Sequence, residues 1–221
     1  MTTTALQSRT QLDEVVHLKV SWSTYEALVE SLGDDSHVRL TYDGAVLEIM
    51  SPGTPHEILA RLVATMLDAV STEWALDITD VGTATFKSEP RGFEADGTYY
   101  LDAAQRVRDL NHIDLAIDTP PDLLLEIGIT TDSSDKLATF ASVGIPELWR
   151  YNLDGFAGFA LDEGAYGPIT FSRVIAGLPI AEIAKRLDDK NGRSNMLTFR
   201  RTWRRWLQEN IHLHNPPETL K

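Results

Sequence analysis

The run Leu123-Leu124-Leu125-Glu126-Ile127, introduced by Pro120-Pro121, is the most apolar stretch of the chain and the tightest constraint on its fold. It is too short for a helix and reads as a buried strand bounded by turn residues. Such a strand needs other elements packed around it, and 221 residues are enough to provide them. A chain of this length buries about 70% of the surface its unfolded form exposes. There is no cysteine, which excludes disulfides, thiolate–metal sites and thiol redox chemistry.

Around that strand, helical and strand patterns alternate. Residues 1–20 are expected as a polar N-terminal arm, with Val15, Val16, Leu18 and Val20 hinting at a docked end. A first helix starts near Ser21 or Ser23, both good caps, and stops before Gly33. Strands over 38–42 and 45–50 flank Asp43-Gly44, a hairpin signature. Ser-Pro-Gly-Thr-Pro at 51–55 then opens a long helix with a stripe of Ile58, Leu59, Leu62, Val63, Met66 and Leu67. Strands near 78–81, 83–87 and 97–101 precede the apolar strand, taken as 123–129. A helix over 134–143, stopped by Gly144, leads to a strand over 147–151 and a meander around 156–161 and 171. Helices over 180–187 and 194–211 end the chain. The expected fold class is α/β, one mixed sheet flanked by helices over residues 21–187, with 188–221 a helical extension packing on the same domain.

The first residues lack the apolar core of a signal peptide, and no apolar run is long enough to span a membrane, so a cytoplasmic protein without membrane contact is expected. The net charge of −13 weighs against a simple nucleic-acid binder, which gains affinity by neutralising phosphates. The tail is the exception. Phe199, Trp203, Trp206 and Asn210 fall at helical spacing beside Arg200, Arg201, Arg204 and Arg205. The plainer reading is an amphipathic helix docking its tryptophans on the core; the other is a face whose arginines contact phosphate.

Glu126 is the anomaly within the apolar strand. An acid buried there is costly as an ion unless it is paired or bound to a metal. It either escapes to solvent or to an arginine such as Arg150, or it works chemically. Asp122 is a poor partner, because four residues along a strand span about 13 Å. Asp96, at the start of the 97–101 strand, is better placed on a neighbouring strand, although it could simply cap a turn. Glu57 opens the long helix, where Thr54-Pro55-His56-Glu57 also reads as a capping box with Thr54 as the cap; both roles stay open. His56-Glu57 is not a zincin motif, since Ala60 stands at the position where the second histidine is required. Gly128 shares a face with Glu126 and carries no side chain, so Lys136, at the start of the next helix, can lean into the gap. It can equally be a solvated lysine. Its place in a first helical turn, against the dipole, implies that removing it costs little stability.

Together these segments resemble a known family. Arg39…Tyr42-Asp43-Gly44, Leu47-Glu48-Ile49-Met50-Ser51-Pro52 and His56-Glu57 are similar to the putative restriction endonuclease family within the PD-(D/E)xK superfamily. Pro121-Asp122-Leu123-Leu124-Leu125-Glu126-Ile127, Asp135-Lys136…Phe140 and Gly144-Ile145-Pro146-Glu147-Leu148-Trp149 continue the match in order and spacing, over roughly residues 20 to 187. The resemblance implies a restriction endonuclease-like core, with the usual strand lysine displaced onto the following helix, as Gly128 and Lys136 have it. Asp96, Glu126 and Glu57 correspond to metal-binding and catalytic carboxylates, and Lys136 to the catalytic lysine. Ala95 replaces an expected proline, Gly128-Ile129-Thr130-Thr131 a Ser-Pro-Ser, and Phe140 a tyrosine. No ligand is lost.

The chemistry so implied is metal-dependent endonucleolytic hydrolysis of phosphodiester bonds, with DNA as partner. Hard carboxylate oxygens suit Mg²⁺ or Mn²⁺. Two carboxylates about 4 Å apart repel by about 4 kcal/mol at an effective dielectric of 20, so a cation makes their clustering tolerable. A homodimer is expected by analogy with nucleases that cut both strands. The alternative is a catalytically silent member of the same fold that acts as an interaction protein, which the negative charge favours.

Overall fold

In the computed structural model of the chain, residues 13–33, 36–110, 113–115, 117–128, 136–189 and 195–214 are described. Its first half runs β1 (Glu14–Lys19), α1 (Trp22–Leu32), β2 (Arg39–Tyr42), β3 (Val46–Ser51), α2 (Thr54–Trp74), β4 (Thr79–Asp80), β5 (Thr85–Ser88), β6 (Arg91–Glu94) and β7 (Gly97–Tyr100). Then follow α3 (Ala104–Arg108), β8 (Leu123–Ile127), α4 (Leu137–Ser142), β9 (Glu147–Asn152), β10 (Gly155–Asp162) and β11 (Ala165–Ile169). The last described helices are α5 (Ile180–Asp188), α6 (Met196–Glu209) and α7 (Ile211–His214).

Local chemistry accounts for most of these boundaries. Ser21 caps α1, its hydroxyl accepting the Thr24 N–H, and Gly33 ends it at φ +63°. Asp43 and Gly44 make the β2–β3 turn as expected: Asp43 Oδ1 accepts the N–H groups of Ala45 and Val46, both at 2.8 Å. Gly44 sits at φ +105°, a conformation that a side chain would strain.

The strands form two sheets rather than one. The first has the order β1-β3-β2-β6-β5 and the second β11-β10-β9-β8-β7-β4, with β8 and β9 the parallel pair. The single-sheet expectation fails because Arg91-Gly92-Phe93-Glu94 does not read as a strand, yet β6 joins the hairpin to β5. Its glycine is demanded by packing: a Cβ on Gly92 would lie 2.1 Å from the Tyr25 hydroxyl oxygen. After β6 the chain crosses to the second sheet through Ala95 and Asp96. The supposed arm also differs, since its described part carries β1, paired along the whole length of β3 from Glu14–Ser51 to Lys19–Val46.

β8 is buried on both faces. Leu123, Leu125 and Ile127 join Leu59, Leu62, Val63 and Met66 of α2 in the larger core. Leu124, on the opposite face, packs with Phe86, Phe93 and Phe140, and alternation puts Glu126 on that same face. The C-terminal helix α6 lies along α2 with Phe199, Trp203 and Leu207 buried. Trp203 Nε1–H donates to Met66 O at 2.9 Å, and Trp74 Nε1–H to Leu207 O at 3.1 Å. Arg186 of α5 stacks over Trp203 and Trp206. Among the described residues no helix is long and apolar enough to cross a membrane.

Trp203→Ala should therefore cost about 3–5 kcal/mol in urea denaturation. Arg201→Ala, on the exposed side of α6, should stay within about 0.5 kcal/mol of the native chain.

Candidate active site

The crossing between the sheets holds Asp96 rigidly. Its N–H donates to Leu125 O at 3.0 Å, and its Oδ2 accepts the Ile127 N–H at 2.8 Å, which ties it to β8 on either side of Glu126. Oδ1 receives Arg39 Nε at 3.3 Å and lies 2.8 Å from His56 Nε2, an ion-pair contact whose angles fall outside hydrogen-bond geometry. On its other side, His56 Nδ1 lies 3.2 Å from Asp13 Oδ2. Burial works against the charge of Asp96, but His56, Lys136 and the Ile127 N–H overcome it and hold the carboxyl below its ordinary range. Burial likewise disfavours the His56 cation, and its two aspartates outweigh that, raising the imidazole to about 9.

A second chain of contacts ends on Glu126. Lys136 Nζ is 2.5 Å from Glu126 Oε1 and 2.8 Å from Glu48 Oε1, and Glu48 Oε2 is 3.2 Å from His17 Nε2. Lys136 precedes α4 and is itself buried, so the solvated-lysine reading is wrong. Glu126 reaches neither solvent nor Arg150, and its buried Oε2 has no hydrogen-bond partner among the described residues. Burial pushes its carboxyl up to about 7 against the pull of Lys136.

Glu57 does not complete a capping box. Gly53, not Thr54, is the cap residue of α2, and its N–H is taken by Asp13 Oδ1 at 2.8 Å, leaving the glutamate nothing to cap. Glu57 instead accepts from Arg39 Nη2 at 2.9 Å, with its side chain half-exposed. Asp122 stays apart from the site, its Oδ2 accepting the N–H groups of Leu101 and Asp102. A cleft of about 730 Å³ opens against Asp96, lined also by Arg39, Glu57, Arg61, Asp80 and Tyr99. Glu126 and Lys136 are not among its lining residues. Among the described residues, no group of three or more His, Asp or Glu side chains is gathered closely enough to hold a metal ion. In the tail, Arg204 pairs with Glu73 of α2, while Arg200, Arg201 and Arg205 are exposed.

The model of the Uma2 family, described as putative restriction endonuclease, matches residues 22–181. This chain belongs to the Uma2 family. No curated protein matches it. Among solved structures, it is similar to a crystal structure described as a putative nuclease belonging to DUF820 from Anabaena variabilis ATCC 29413. That likeness has a TM-score of 0.51 at 13% identity and covers 84% of this chain and 99% of the other, which establishes a shared nuclease-like α/β fold.

The Uma2 chain thus brings together Asp96, Glu126 and Lys136, with Glu57 at the cleft and the four tail arginines elsewhere. Sequence reasoning missed Arg39, Glu48, His56 and Asp13 as members of the site. The first three lie in the segments that carry the family resemblance, but nothing local reveals their partners. Asp13 lies outside the matched residues altogether.

Because Lys136 is buried between two carboxylates, Lys136→Ala should cost about 3–5 kcal/mol, not the small change expected for a solvated lysine. Denaturant midpoints check this. His56 is raised in the folded chain, so its stabilisation is complete below about pH 6.5 and fades as pH rises through about 9. The stability gap between the native chain and His56→Gln should shrink across that window, and a constant gap would refute the assignment.

Proposed function

We propose that this chain is a metal-dependent endonuclease that hydrolyses phosphodiester bonds in DNA with Mg²⁺ or Mn²⁺. The observation that carries the reading is the charge balance around Asp96 and Glu126. Two chains of contacts join five carboxylates (Asp13, Glu48, Glu57, Asp96 and Glu126) to Arg39, His56 and Lys136, with the exposed His17 beside Glu48 at the outer end. The excess is negative and largely buried, and it includes the unpartnered Glu126 Oε2. A buried negative excess with a free oxygen suits a hard divalent cation. Mg²⁺ commonly takes only one or two protein carboxylates and completes its shell with water and phosphate, so a third clustered ligand is not required.

Asp96 and Glu126 would hold the ion, with Glu57 reaching it through a change of partner from Arg39. A bound divalent cation supplies charge neutralisation at the scissile phosphate and lowers the pKa of the attacking water. The chain's own residues do the rest. The Ile127 N–H and the cations on Oδ1 keep Asp96 ionised and oriented. Lys136 Nζ directs a proton-bearing ammonium toward Glu126, where it can orient water and offset charge developing on phosphate. Arg39 and Arg61 line the cleft and offer donors to the neighbouring phosphates.

A silent-fold reading draws on the same geometry, since Lys136 and His56 already balance part of the charge. Plasmid nicking separates the two. The native chain should nick with Mg²⁺ or Mn²⁺ and not with EDTA, and Asp96→Asn or Glu126→Gln should lower the rate at least about 100-fold. If the native chain cleaves neither DNA nor RNA with either ion, the enzyme reading falls and the interaction-protein reading replaces it. Replacing Arg200, Arg201 and Arg205 should leave the salt dependence of DNA binding unchanged. A loss of nearly one unit of slope per arginine would make α6 a phosphate-contacting face.

A further inference from the structure

We propose that Asp13 and His56 are positioning residues for Asp96, so that the segment leading into β1 is part of the active site rather than a leader to it; this rests on the metal-dependent reading above. His56 is fully buried in the first turn of α2, a place where a histidine has no packing advantage over an apolar residue. Both its nitrogens face aspartates, Nδ1 at 3.2 Å from Asp13 Oδ2 and Nε2 at 2.8 Å from Asp96 Oδ1. Asp13, whose side chain is only 3% exposed, uses its second oxygen on the Gly53 N–H at 2.8 Å. Each carboxylate oxygen of Asp13 is therefore committed, one to the backbone that begins α2 and one to the imidazole.

The consequence for Asp96 is a fixed orientation. Its Oδ2 is bound by the Ile127 N–H and its Oδ1 faces His56, so neither side-chain torsion can turn without breaking a contact. Outer partners of this kind orient ligating groups, and their loss commonly lowers metal affinity about 10–100-fold. A purely structural role for the pair would change stability and leave affinity alone.

The test is Mn²⁺ binding by isothermal titration calorimetry on the full chain at 15 °C, without nucleic acid, beside melting temperatures. Asp13→Ala and His56→Leu should each raise the Mn²⁺ dissociation constant at least about 10-fold. His56→Gln, which retains an N–H donor toward Asp96, should restore most of the affinity. Trp203→Phe, placed in the α2–α6 core, should lower the melting temperature without altering Mn²⁺ binding. If His56→Leu does not fold, Asp13→Ala and the Gln variant still decide the matter. Native binding with equal affinity in Asp13→Ala and either His56 variant overturns the positioning role and leaves the nuclease proposal standing. A native chain that binds no Mn²⁺ overturns both.

Discussion

The contact between Lys136 and Glu126 is the interaction on which the arrangement of this molecule turns. A carboxylate in the middle of the most buried strand would, alone, be among the costliest groups the fold could contain. The lysine makes it tolerable, and it stands at the start of α4, whose Phe140 packs with Leu124 of β8. Glu48 then holds the ammonium from the first sheet. A single cation thus fastens β8, α4 and β3 together, and removing it would leave two carboxylates at the sheet junction with no replacement. Such a cluster is poor economy for stability, because apolar residues of similar volume commonly do better. Buried charge clusters of this kind are found more often at functional sites than where stability alone is served.

Asp96 depends on the same junction in another way. The chain changes sheets at that residue, so its carboxylate stands between an interior strand of each sheet, beside the start of α2 and the cleft. Its charge is maintained by the His56 cation of α2, by Lys136 and by an aligned N–H from β8. Glu126, a residue away from that N–H, has its acidity moved the opposite way by burial. Neighbouring carboxylates with divergent proton affinities are a recurring sign of sites that move protons.

How much of this was legible in the sequence depends on the range of the interaction. The hairpin at Asp43-Gly44, the stripe of α2, the apolar run of β8 and the aromatic spacing of α6 are written in local periodicity and form there, except that Ile58, expected in the α2 stripe, is exposed and its place is taken by the buried His56. Asp96, Glu126 and Lys136 could be singled out because an acid in an apolar run and a glycine opposite a lysine are local anomalies. The division into two sheets was not legible, since Gly92 answers to a tyrosine hydroxyl far away in sequence. His56 was obscured because Thr54-Pro55-His56-Glu57 imitates a capping box. Only the approach of Asp13 to Gly53 shows that the cap's N–H is satisfied from the segment before β1. The burial of Lys136 depends on Glu48 of the first sheet as well as on Glu126, a long-range partner that no spacing rule describes.

The separations along the chain between the site's partners carry a further consequence. Arg39 reaches Asp96 across 57 residues, His56 reaches Asp13 across 43, and Ile127 reaches Asp96 across 31. Contacts of such high sequence separation form late in folding, because loop closure must come first. During synthesis, a nascent chain that has not yet emerged past residue 136 lacks the lysine and cannot complete the constellation. The docking of α6 on α2 waits longer still, for partners 137 residues apart. The cluster around Asp96 and Glu126 can therefore be complete before α6 has docked, so that the charged junction and the C-terminal helix are assembled in that order.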